Sequence, residues 1–154
     1  MSPLSALLVG LQFGLLALLA WPVGPIRLDA WAGLGWLLVA LAIALGIWAI
    51  VAMRLDTFSV MPEPAPRGRL CTRGPYGSIR HPMYSAVLLA GLGANLVHGT
   101  RWQWIGLLAL AIVLVLKIRR EENLLRQRFA DYDAYGRRTG ALLPNLFGPR
   151  GPSS

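Results

Sequence analysis

Residues 1–26 and 30–53 carry no charged side chain, and the 20 residues between Arg80 and Arg101 are free of formal charge with His81 and His98 neutral. Trp102 to Leu116 adds a further uncharged run of 15 residues before Lys117. A bilayer core ~30 Å thick takes about 20 helical residues, with roughly 17–25 tolerated. The first two runs meet that length, the apolar part of the first extending from about Leu4 to Trp21. The shorter two gain reach from flanking Tyr, Trp and Lys side chains, which settle at the interface. These runs predict an all-α integral membrane protein with about four transmembrane helices. The chain is 14% charged, against about 25% in soluble domains, which excludes disorder and argues against a water-soluble globule. The first run has no cationic leader, and Leu18-Leu19-Ala20 is not an Ala-x-Ala site, so it reads as a retained helix rather than a cleaved signal peptide.

The charges that remain are lopsided, with 15 Lys+Arg against 7 Asp+Glu and a net +8. Their placement argues for topology rather than nucleic acid, for which no role is expected. Residues 54–82 hold five arginines against Asp56 and Glu63, and residues 117–154 hold eight basic residues against four acids. With an even number of helices both segments lie on one side, which the positive-inside rule makes cytoplasmic. Both termini are then cytoplasmic, and Trp21, Trp31, Trp102 and Trp104 form an aromatic belt on the other face. The Ala/Leu/Gly/Arg-rich usage suggests a bacterial inner membrane. One cysteine, Cys71, excludes an intrachain disulfide and a Cys-cluster zinc site, and two histidines exclude a His-rich cage, so no metal is expected. Gly10 and Gly14 form a GxxxG pair suited to packing or to a homodimer, and Ala90, Gly91, Gly93 and Ala94 crowd the third run. Residues 1–53 read as a two-helix N-terminal unit. Residues 54–154 read as the functional region, opening with a proline-rich loop at Pro62–Gly68 and ending in a cytoplasmic helical extension.

Two polar segments carry the candidate chemistry. The first is Arg73-Gly74-Pro75-Tyr76-Gly77-Ser78-Ile79-Arg80-His81-Pro82-Met83-Tyr84. Pro82 biases His81 away from helix and suits the first position of the third helix. Backbone N–H groups of Met83 and Tyr84 then lie at a helix N-terminus, ready for anionic or lone-pair groups. An interfacial anchor is the alternative use of these residues. The second segment continues the fourth run without a breaker, from Lys117 through Arg119, Arg120, Glu121 and Glu122 to Phe129. One helix of about 28 residues would reach ~42 Å and project Glu121 and Glu122 past the interface, level with His81. Lys117–Glu121 and Glu122–Arg126 also have the i,i+4 spacing of ordinary surface ion pairs.

The ordered set G-P-Y-x-x-x-R-H-P-x-Y, then E-E-x-x-L, then Phe129–Tyr135 and Leu142-Leu143-Pro144 resembles the isoprenylcysteine carboxyl methyltransferase and phospholipid methyltransferase superfamily of integral membrane enzymes. The resemblance covers roughly residues 67–147. It implies S-adenosylmethionine (SAM) as cofactor and methyl transfer to a small lipophilic acceptor from the bilayer, of isoprenylcysteine carboxylate type. By position it implies that Tyr76, His81, Pro82, Met83 and Tyr84 line the cofactor site, with backbone contacts from Leu70 and Cys71. It further implies that Glu121 or Glu122 holds the cofactor's amino group and that Lys117 or Arg119 meets the acceptor. Arg80 and His81 are the remaining catalytic candidates, His81 as a base where the acceptor is protonated. The sequence departs from the superfamily pattern at Ala86, at Ala130, in the Phe129–Tyr132 spacing and at Thr139-Gly140, positions that concern packing and the tail. A phospholipid amine or a small thiol are alternative acceptors. An NADPH-dependent membrane reductase and a non-enzymatic scaffold are the rival classes.

Overall fold

A computed structural model describes residues 3–21, 25–26, 28–53 and 70–145. Among the described residues five α-helices follow one another: α1 Pro3–Ala20, α2 Ala30–Met53, α3 Pro82–His98, α4 Arg101–Arg128 and α5 Tyr132–Arg138, with a 3-10 turn at Gly74–Gly77 before α3. Strand geometry among the described residues is confined to one isolated parallel bridge, Ile79 with Gly140. The proline-rich loop Pro62–Gly68, the boundary at residue 54 and most of the basic 54–82 segment lie outside the described residues.

The four long helices fall on the four uncharged runs. α2 and α4, with 24 and 28 residues, are each long and apolar enough to cross a bilayer, and α1 and α3 are shorter. The surface is inverted relative to a soluble protein. Leu7, Leu37, Ile43, Trp48 and Leu108 are more than half exposed, while Ser5, Gln12, Asn95, Gln103 and Lys117 are buried. Lipid reverses the usual preference, because apolar side chains meet it freely and polar ones must find partners inside the bundle. The chain is an all-α membrane protein.

Contacts along the helices give an up-and-down order. Near one end of the bundle, Arg120 of α4 donates to Ser5 Oγ of α1 at 3.1 Å. Near the other end, Gln103 Nε2 donates to Trp21 O at 3.3 Å. Gln103 also closes a capping box with Thr100, which starts α4 just after Gly99 ends α3. Leu19, Leu110 and Leu114 form the buried core, with Val87 and Leu88 of α3 packed on it.

α2 lies along α3 at a glycine crossing, where a Cβ on Gly93 would stand 2.6 Å from Gly35 O and one on Gly35 would stand 2.7 Å from Gly93 O. The small residues of the third run therefore serve packing within the chain. Gly10 and Gly14 do not, since a Cβ on either meets nothing within 4 Å. Gly93→Ala should cost roughly 1–3 kcal/mol as overpacking against backbone, while Gly10→Ala should be near neutral. Thermal unfolding in detergent reads both, and equal melting temperatures for the two variants would contradict the crossing.

Candidate active site

Pro82 is the first residue of α3, and His81 sits outside the helix at φ −124°, ψ 59°. The ψ is outside the α region that proline disfavours for the residue before it, and short of the extended range of about +120 to +160°. The turn that delivers His81 depends on Gly74, whose φ of +58° is left-handed and whose missing Cβ would lie 2.9 Å from Ala52 Cβ on α2. Tyr84 N–H donates to His81 O at 3.0 Å. It is therefore spent locally, rather than held ready for a ligand as the sequence suggested.

α4 runs unbroken from the apolar stretch into the charged one, as its lack of breakers predicts, and this sets Glu121 and Glu122 against His81. The imidazole is buried between them, with Nδ1 3.6 Å from Glu121 Oε2 and Nε2 3.4 Å from Glu122 Oε1. It stacks on Tyr84, with centroids 5.5 Å apart and planes 6° from parallel. Tyr84 OH donates to Glu121 Oε2 at 3.1 Å.

The two glutamates differ in their partners. Glu122 accepts from Arg80 Nε at 2.7 Å and from Arg126 Nη2 at 3.1 Å, the latter being the expected i,i+4 pair. The close approach of His81, opposed by burial and helped by Arg80, holds Glu122 at a pKa of about 2. Burial pushes Glu121 above the usual carboxylate range, against the pull of His81, Tyr84 and Lys117. Both glutamates stand beyond the apolar stretch of α4, which ends at Leu116.

The tail closes the site from the other side. After α5 the chain returns along the turn before α3: Gly140 N–H donates to Ser78 O at 3.1 Å, Arg80 N–H to Gly140 O at 2.8 Å and His81 N–H to Ala141 O at 3.0 Å. Ser85 Oγ donates to Leu142 O at 2.5 Å, and Tyr135 OH to Tyr76 O at 2.7 Å. Arg80 Nη1 donates to Gly136 O at 2.8 Å and also to Thr139 O. The departure at Thr139-Gly140 leaves the tail tied to the site, because the bonds at Gly140 and Ala141 are between backbone groups and the others end on backbone carbonyls. A proline at position 140 would have no N–H to give Ser78.

A cavity of about 250 Å³ opens between α1, α3 and α4 at this end. Of the residues singled out from the sequence, Tyr76, Arg80, His81, Met83, Tyr84, Lys117 and Glu121 line it. Leu70, Cys71, Pro82, Arg119 and Glu122 are not among its lining residues. Cys71 Sγ donates to Ala52 O at 3.4 Å, Arg119 is exposed, and Pro82 is buried as the first residue of α3.

The wall that sequence reading missed comes from α1, as Gln12, Phe13 and Leu16, with Met53 and Val87 completing the lining. Lys117, fully buried, donates through Nζ to Gln12 Oε1 at 2.5 Å and lies 5.2 Å from the Tyr84 ring centroid. The signal was present. Gln12 is the one amide, hydroxyl or charged side chain between Ser5 and Ala20, and a lone polar residue in an apolar span faces the bundle interior.

The family model for phospholipid methyltransferases matches residues 31–132. Two curated relatives are similar over part of the chain. One is the nickel-cobalt-cadmium resistance protein NccN of Alcaligenes xylosoxydans xylosoxydans, 40% identical over 79 residues, which are 50% of this chain and 37% of that protein. The other is the cobalt-zinc-cadmium resistance protein CzcN of Cupriavidus metallidurans, 38% identical over 87 residues, which are 55% of this chain and 40% of that protein. The chain thus matches about two-fifths of the length of these relatives. Because the family match takes in α2, α3, α4 and both halves of the His81–glutamate site, the chain belongs to the phospholipid methyltransferase family.

Proposed function

We propose that the chain is a SAM-dependent methyltransferase working at the membrane boundary, on a small lipophilic acceptor with an anionic head of isoprenylcysteine carboxylate type. One observation carries this reading: Lys117 and Glu121, a basic and an acidic residue one turn apart on α4, line the same cavity. A cofactor ammonium suits the carboxylate, and an acceptor carboxylate suits the ammonium.

The residues present fit SAM. Glu121 has carboxylate capacity beyond the single bond from Tyr84, and Tyr76, Tyr84, Met53 and Met83 offer aromatic and thioether surface to a cation. SAM supplies an electrophilic methyl group on a sulfonium sulfur. Glu121 would hold the cofactor's ammonium, leaving Glu122 to bind Arg80 and Arg126. Lys117 would orient the acceptor head, and Phe13, Leu16 and Val87 would exclude water around the reacting atoms. A carboxylate acceptor needs no base, so His81 would act by fixing the two glutamates. The site end of the bundle would face the cytoplasm of a bacterial inner membrane, and the acceptor would come from lipid.

The test is methyl-labelled SAM with three acceptors in turn: a farnesylated cysteine carboxylate, phosphatidylethanolamine and a small alkyl thiol. Label is expected in the first. Label in the second or third alone would replace the acceptor class, and transfer to none with tight NADPH binding would overturn the enzyme class. Lys117→Met should raise KM for the carboxylate acceptor about tenfold or more and leave SAM affinity undiminished.

A further inference from the structure

The sequence places the tail after α5 in the cytoplasm, yet its contacts bring it level with the apolar belt of the bundle. Ala86 Cβ of α3 lies 3.8 Å from where a Cβ on Gly46 of α2 would stand. From that level α2 runs on to Met53, a further ~10 Å, with Trp48, Ile50 and Val51 exposed along it. Ser85, next to Ala86, therefore lies inside the apolar belt, and its Oγ donates to Leu142 O. Backbone at such a level must have its polar groups satisfied within the protein. Four successive carbonyls of the tail are: Thr139 O accepts from Arg80 Nη1, Gly140 O from Arg80 N–H, Ala141 O from His81 N–H and Leu142 O from Ser85 Oγ. The bend is so tight that a Cβ on Gly140 would collide with Leu143 O, which explains the glycine at this departure from the superfamily pattern. The Leu143 side chain, by contrast, is 77% exposed. Asn145 Nδ2 donates to Arg137 O at 3.3 Å, which brings the turn back beside the last turn of α5, where Arg137 and Arg138 are exposed. Neither arginine side chain is in an ion pair among the described residues.

We propose that residues 137–144 are a membrane anchor, in which Leu143 enters the acyl region beside α3 while Arg137 and Arg138 bind the phosphates of anionic phospholipids. Acyl chains accept an apolar side chain from a turn whose carbonyls are already bonded, and guanidinium groups pair with phosphate at the headgroup level. The anchor goes beyond the function proposed above and does not depend on it. Arg80, bonded to Gly136 O and Thr139 O, links it to Glu122.

Because the chain has a single cysteine, Leu143→Cys in a Cys71→Ser background takes one nitroxide label. Electron paramagnetic resonance in nanodiscs, of phosphatidylcholine alone or mixed with phosphatidylglycerol, then reads its depth. Oxygen should relax the label at position 143 more than a water-soluble nickel chelate does. A label introduced by Gln127→Cys, at an exposed position far along the charged end of α4, should show the reverse order. Adding phosphatidylglycerol should shift the label at 143 deeper, and Arg137→Gln/Arg138→Gln should abolish that shift. A label at 143 relaxed more by the nickel chelate than by oxygen would put the turn in water and overturn the anchor. A label reached by neither would put Leu143 against protein, with the same consequence. A lipid-exposed label whose depth ignores phosphatidylglycerol would overturn the pairing of the two arginines with anionic headgroups.

Discussion

Glu121→Gln is expected to weaken SAM binding about 100-fold while leaving thermal unfolding in detergent nearly unchanged, because a charge-assisted bond in a half-dry site contributes about 1.5–3 kcal/mol. The neighbouring change should behave in the opposite way. Glu122→Gln removes the carboxylate from Arg80 and Arg126, so it should lower the melting temperature first and affect binding only through the loosened fold. The pH dependence separates them further. A cation binds the ionised form of Glu121, and burial raises that group's folded pKa. SAM affinity should therefore fall as pH drops through a value above the ordinary carboxylate range, and Glu121→Gln should flatten that limb. Equal losses of affinity in both variants, with no difference in melting, would refute the division of labour between the two glutamates.

The placement of the two glutamates was only half legible in the sequence. Uncharged run lengths located the four long helices, Pro82 located the start of α3, and the missing breaker after Trp102 gave α4 its full length. Each is a local rule that lipid enforces strictly, since backbone groups there have no water to turn to. That Lys117 and not Arg119 lines the cavity was also within reach of helical period: residues 117 and 121 share a face, while 119 lies about 200° round from 117. That Glu121 lines it while Glu122 does not was out of reach. It depends on Arg80 arriving from 42 residues upstream and on α5 bringing the carbonyls of Gly136 and Thr139 to the same guanidinium. α1 stayed hidden for a similar reason, because Gln12 gains its meaning only from Lys117, 105 residues away.

Arg80→Met should be the most destabilising single change in the site. The Arg80 side chain is 14% exposed and its guanidinium joins three segments, bonding Glu122 on α4, Gly136 O on α5 and Thr139 O just after it. Removing it leaves the Glu122 side chain, itself 11% exposed, with Arg126 as its remaining arginine and strands two carbonyls. Breaking a buried pair from one side costs about 3–5 kcal/mol. Arg80→Lys should recover little, because a point-charge ammonium cannot span the carboxylate and the tail carbonyls as a planar fork does. Acid titration gives an independent reading. Glu122 has a folded value of about 2, below its ordinary 4.5, so its network stabilises fully above the ordinary value and is lost as pH falls toward 2. Without Arg80 the folded value moves back up, so the loss still begins at the ordinary value but is smaller and ends at higher pH. Melting temperatures from pH 2 to 7 should therefore show wild type and Arg80→Met well apart near neutrality and converging in acid. Parallel curves, or no gap at pH 7, would mean that Arg80 is not what ties the tail to α4.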